Sequence, residues 1–194
     1  MTNLSIYIQE KDSVWLQPLE SIKKNRMKNS CLILLALLTT SVSHSQKETL
    51  KFANADAPYH NVGQDSLAVK GYDVTEYFLG NTASKGSSEF QYKNQGVTYL
   101  FASEKNRSLF IENPEKYKPE FGGYCAYGLA MEVDGNGYPP GKYPVNPKTF
   151  KIIDDKLYLF YNESGYNFLK VWESNEKGNL EKANERWAII HREK

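Results

Sequence analysis

One cysteine sits where few side chains surround it, in Phe121-Gly122-Gly123-Tyr124-Cys125-Ala126-Tyr127-Gly128. Glycines such as Gly123 let a backbone approach a ligand or another strand closely. Tyr124 and Tyr127 flank the thiol with hydroxyls and ring faces. A thiol placed this way has three readings. As a thiolate it suits a soft or borderline transition metal, copper(I) above all. As a low-pKa group it would be a nucleophile or a redox centre. As a small hydrophobe it would only pack. His60, in Pro58-Tyr59-His60-Asn61, is the second candidate donor. It would complete a metal pair or a cysteine–histidine pair with Cys125, or be a solvated loop histidine. Tyr72 and Asp73 are further pocket candidates, with Asp73 also fitting a helix cap. His191 closes a terminal helix, where a cation suits the helix dipole. Met131 and Glu132 would form a rim beyond the glycine turn. Residues 134–137, Asp-Gly-Asn-Gly, lack the spaced acids of a calcium loop and read as a turn. No Cys-x-x-Cys or His-x-x-x-His spacing exists, which excludes a tight structural zinc site.

Short elements must position these groups. Asp73 to Phe78 reads as a helical turn after a short apolar strand, Leu67-Ala68-Val69, broken by Gly71. Phe90 to Tyr92 and Val97 to Phe101 alternate as strands around the turn residues Asn94-Gln95-Gly96. Ser103 caps a helix from Glu104 to Asn113, closed by Pro114. Lys151 to Ile153 and Lys156 to Tyr161 form a second hairpin. Phe168 to Trp172, and a stretch from Asn179 through Trp187 to Ile190, have helical spacing. Hairpins interleaved with helices predict an α+β fold of small antiparallel sheets with a helical C-terminus. No low-complexity stretch or internal repeat appears.

The first forty-five residues have the make-up of an export signal. Lys23, Lys24, Arg26 and Lys28 precede an apolar run, residues 31–38, and small residues up to Ser45 follow. The run is too short for a stable membrane anchor. Translation from Met27 would give a signal of ordinary length. The expected organisation is a leader and signal over 1–45, a lead-in over 46–66 and a domain over 67–194, periplasmic or secreted after cleavage near Ser45. The 194-residue chain has 24 basic and 23 acidic residues. The leader contains five of the basic and three of the acidic ones, so 19 basic face 20 acidic in the remainder. That balance argues against nucleic-acid binding, which needs a basic surplus. Cys125 would be the single cysteine of an exported protein, a setting where cysteines usually pair.

Several ordered motifs together resemble the YHS domain family. The run from Tyr99-Leu100-Phe101-Ala102-Ser103 to Asn113-Pro114-Glu115-Lys116-Tyr117 is similar to its core pattern. Val69-Lys70-Gly71-Tyr72-Asp73 looks like the opening motif of its exported branch, and Gly122-Gly123-Tyr124-Cys125-Ala126 and Lys156-Leu157-Tyr158-Leu159 like that branch's later markers. The resemblance spans Leu67 to Trp187 and implies a YHS/TRASH-like core. Metal-handling relatives carry a Phe-Cys-Ser-x-x-Cys arrangement, and this chain has Ala102 and Asn106 at the two cysteine positions. The resemblance therefore implies no thiolate cluster there. The leading expectation is an exported binding protein that holds a copper-type ion weakly through Cys125, with His60 as partner. The alternatives are a thiol enzyme, and a domain that docks to a periplasmic protein partner without chemistry.

Overall fold

The structure, a computed structural model, describes residues 51–132 and 139–191. All of them fall in one of the two units into which the chain divides, Glu48–Lys194. The signal segment and the turn at 134–137 lie outside the described residues.

Three two-stranded antiparallel hairpins and six α-helices make an α+β fold among the described residues. Strand β1 (Ser87–Asn94) pairs with β2 (Val97–Phe101), β3 (Asn146–Ile153) with β4 (Lys156–Phe160), and β5 (Asn162–Glu163) with β6 (Tyr166–Asn167). Helix α1 (Glu76–Leu79) precedes the first hairpin, and α2 (Glu104–Glu112) and α3 (Pro114–Tyr117) follow it. Helix α4 (Ala126–Ala130) precedes the second hairpin, and α5 (Phe168–Glu173) and α6 (Glu176–Ile190) end the fold. No helix among the described residues is long and apolar enough to cross a membrane.

Local chemistry sets most of these boundaries. Gln95 and Gly96 both have positive φ, 49° and 82°, as a tight hairpin turn requires. Ser103 Oγ accepts the Asn106 N–H at 3.2 Å and starts α2. Pro114 both ends α2 and opens α3, where its missing N–H costs nothing. Strand β2 alternates as its sequence predicts: Val97, Tyr99 and Phe101 are buried, while Thr98 and Leu100 are half-buried.

Three expectations are corrected. Residues 67–69 do not form a strand, because Val69, Lys70 and Gly71 all take left-handed dihedrals, with φ of 46°, 52° and 75°. Asp73 does not cap α1, which starts at Glu76 with Thr75 at the cap position, and α6 starts at Glu176, not at Asn179.

A further and larger correction is that the domain is built twice. A left-handed turn at Ala68–Gly71 has a counterpart at Glu120–Gly123, where Phe121, Gly122 and Gly123 have φ of 53°, 60° and 81°. A tyrosine follows each turn, and its N–H returns 3.1 Å to the turn's second residue: Tyr72 to Val69, Tyr124 to Phe121. Next comes Asp73 in one half and Cys125 in the other, then a short helix, then a hairpin. The two hairpins slip register at the same place, Ser87 and Asn146 pairing with Phe101 and Phe160 while Gln91 and Phe150 pair with Leu100 and Leu159. Leu67 bridges Thr98 in parallel, and Pro119 bridges Leu157 likewise. A helix then lays one large ring on each hairpin. Phe110 sits 4.5 and 5.2 Å from the rings of Tyr99 and Phe101, and Trp172 sits 6.1 and 5.4 Å from Tyr158 and Phe160.

Candidate functional site

The duplication explains Cys125. In the first half, the fully buried Asp73 ties its turn to the end of β2. Its Oδ1 accepts the Thr75 N–H and hydroxyl at 2.8 and 2.7 Å, and its Oδ2 accepts the Ala102 N–H and the Asn106 amide, both at 2.7 Å. In the second half Cys125 does the same work with sulfur. Its Sγ accepts the Gly128 N–H at 3.4 Å, as cap of α4, and the N–H of Tyr161, the residue just after β4, at 3.2 Å. Ala102 and Tyr161 are equivalent positions of the two hairpins. Asp73 is thus a buried acceptor joining four donors and not a solvent-facing pocket acid.

The thiol is fully buried, and that burial pushes its pKa up to about 11 against the opposite pull of the backbone N–H donors. A nucleophilic or metal-binding cysteine needs the thiolate to be accessible. Among the described residues no three His, Cys, Asp or Glu side chains gather into a cluster that could hold a metal ion. The donors around Cys125 are backbone N–H groups, which supply nothing to copper(I). These surroundings fit a packing residue and do not fit a metal centre.

The other candidates disperse. The half-buried Tyr72 lies under Lys85, whose Nζ is 4.3 Å from its ring centre. Tyr127 packs edge-on against Phe168. Gly123 is the last residue of the second left-handed turn. Met131 is buried, and Glu132 pairs with Lys182 and Arg186.

His60 and Tyr124 belong to a different construction. Residues 53–62 lie as a strap across the second half. The Asn61 N–H donates to Gly122 O at 2.8 Å, its side-chain amide donates to Gly123 O at 2.9 Å, and the Tyr124 hydroxyl donates to Pro58 O at 2.9 Å. Lys142 is 1% exposed, and its Nζ donates to Ala57 O at 2.7 Å and Ala55 O at 3.3 Å. That ammonium also lies 5.7 Å from the ring centres of Tyr124 and Trp187. Gly122 is what lets the strap dock. A Cβ there would fall 2.0 Å from Tyr59 O. Its equivalent, Lys70, holds the same left-handed conformation with a long side chain, so the close approach demands the glycine more than the turn does.

Where strap, first hairpin and second turn meet, a cleft of about 260 Å³ opens, lined by Tyr59, His60, Gln95, Tyr99, Lys118 and Trp187, with Glu115, Glu120 and Phe121 at its sides. The half-exposed Tyr59 ring lies 4.9 Å from His60, 5.3 Å from Trp187 and 4.8 Å from His191. Lys118 Nζ donates to Glu115 at 2.5 Å and to Gln95 at 3.2 Å. Sequence reasoning singles out His60 and Tyr124 here. It misses Lys142 and Lys118, because nothing local marks a lysine as buried or cleft-lining.

Burial, and then the nearby Lys118 cation, lower the His60 pKa, with Glu115 opposing. A base whose folded pKa lies below its unfolded value of about 6.5 favours the neutral state on folding. Its contribution is therefore complete above that value and is lost as pH falls through it toward the folded pKa. Denaturation midpoints measured across this window should fall in the wild type and fall less in His60→Gln.

Comparison with protein-family models, curated proteins and solved structures finds no match to this chain.

Proposed function

We propose that this chain is an exported, non-catalytic binding domain of the YHS type, and that its ligand sits in the cleft where the two halves meet. The observation that carries this reading is the contrast between the two candidate places. The thiol is sealed and bonded to backbone, while the cleft is open and presents rings, an imidazole, an amide and an ammonium together. Binding sites are typically concave, with a few polar groups that fix orientation; the lining of this cleft is mostly polar, with the Tyr59 and Trp187 rings among its apolar part. A thiol enzyme or a copper carrier built on Cys125 would need that residue exposed.

Export rests on the basic, apolar and small-residue succession of residues 1–45. The YHS assignment rests on the order and spacing of its motifs. It agrees with the Tyr99–Phe101 strand, the Ser103-capped helix and the Asn113–Pro114 junction.

The test is an amide and indole chemical-shift map of the chain with a soluble fragment set of benzoate, benzylamine, glucose and imidazole. Shifts clustering at Tyr59, Gln95, Lys118 and Trp187 are expected. Shifts clustering around Cys125 and Tyr161, or no site at all, would overturn the reading.

A further inference from the structure

Each charged side chain that lines the cleft has an ion-pair partner. Lys118 lies 2.5 Å from Glu115 inside it, and Glu120 lies 3.5 Å from Lys156, which stands outside the lining. A site built for an ion would leave a lining charge unpaired, and this one leaves none. What remains are groups that both donate and accept: the Gln95 amide, the His60 imidazole and the Tyr59 hydroxyl. Beside them stand two aromatic rings, Tyr59, 50% exposed, and Trp187, at 5.3 Å from each other. The volume, about 260 Å³, lies just under the range of roughly 300–1,000 Å³ that takes drug-sized molecules. One six-membered ring with its substituents fits that scale.

We propose that the cleft takes a neutral pyranose, alone or as the terminal unit of a glycan. The C–H face of such a ring lies on Tyr59 and the edge of Trp187. Its hydroxyls exchange hydrogen bonds with Gln95, His60 and the Lys118–Glu115 pair. A ligand with one apolar face and a rim of hydroxyls uses both walls, whereas a flat aromatic acid would use the rings and disturb the balanced charges. This inference rests on the cleft being the binding site.

The probes are glucose, galactose, mannose and N-acetylglucosamine, each titrated against the full chain while the Trp187 indole N–H is followed by NMR. Sorbitol serves as a hydroxyl-matched control without a ring, and benzoate and benzylamine as charged aromatic controls. A molecule of this size should bind with Kd of about 1–10 mM. At least one pyranose should shift the indole saturably, and sorbitol should not. Tyr59→Ala, at a half-exposed position, should weaken binding about tenfold, as loss of one stacked ring implies, with shifts in the unliganded spectrum confined to its ring neighbours His60, Trp187 and His191. Gln95→Asn preserves a residue at ease with positive φ while withdrawing the amide, and should weaken binding several-fold. If no pyranose shifts the indole by about 100 mM but benzoate or benzylamine does, the ligand class is wrong and the cleft survives as a site. If sorbitol binds as well as glucose, or Tyr59→Ala changes nothing, ring stacking is refuted. If no probe perturbs any cleft residue, the cleft itself falls.

Discussion

Replacing Asp73 by alanine is expected to destabilise the domain by about 2–4 kcal/mol. The side chain is fully buried and accepts from two backbone N–H groups, the Thr75 hydroxyl and the Asn106 amide. A donor left unpaired in a buried site costs about 1–3 kcal/mol; the Thr75 hydroxyl can turn and the Asn106 amide keeps its bond to Glu76, so the loss falls chiefly on the backbone N–H groups of Thr75 and Ala102. Asp73→Asn should be nearly as damaging. An amide offers one acceptor oxygen, and its NH2 group would face the donors that Oδ2 now satisfies. Cys125→Ser, at the equivalent position, should cost only about 1 kcal/mol, because a hydroxyl still accepts from Gly128 and Tyr161. Chemical denaturation of the three variants gives the order. Equal losses at Asp73 and Cys125 would contradict the roles assigned to them.

The second large effect lies on the hairpin helices. Phe110 is fully buried against Tyr92, Tyr99 and Phe101, with ring centres 6.2, 4.5 and 5.2 Å away. Truncation to alanine removes those contacts and leaves a cavity, at about 3–5 kcal/mol. Glu112, exposed on the same helix, should lose no more than roughly half a kcal/mol on the same change. The duplication extends the prediction to Trp172, also fully buried, which covers Tyr158 and Phe160 as Phe110 covers their equivalents. Trp172→Ala should therefore cost about as much as Phe110→Ala. For a domain with the usual 5–15 kcal/mol of stability, either loss is severe. Similar midpoints for Phe110→Ala and Glu112→Ala would show the helix to be misplaced.

The hairpins and α2 were readable from the residues because each has a local physical signal. Turn residues flank alternating strands, and a serine accepts from the third residue of its helix. The duplication was not readable. Tyr72-to-Tyr99 spans 27 positions and Tyr124-to-Tyr158 spans 34, so no single period aligns the halves. The acceptor is a carboxylate in one half and a thiol in the other, so two chemically unlike residues hide one role. The left-handed turn at Val69 and Lys70 was equally opaque. β-branched and long side chains rarely take positive φ, and tertiary contacts impose it: Leu67 on β2, and Lys70 Nζ on Val145 O at 2.8 Å. Of the candidate site, His60 was visible as a candidate donor, and Tyr124, which bonds the strap at Pro58, as a neighbour of Cys125. The cleft was not, because a strap about sixty residues away in sequence builds its wall against Gly122.

Everything assigned to the cleft presupposes that Cys125 does no chemistry, and thiol reactivity tests this directly. In a Cys31→Ser chain, Cys125 is the single thiol. Its alkylation by iodoacetamide at neutral pH is then compared with and without denaturant. A thiol raised from 9.0 to about 11 exposes about a hundredfold less thiolate, and burial slows attack further. Native alkylation should therefore be at least about a hundredfold slower than in the unfolded chain, with the native near-ultraviolet circular dichroism intact throughout. Alkylation of the folded chain at the unfolded rate would make Cys125 an exposed, reactive group, and would return the function to the thiol.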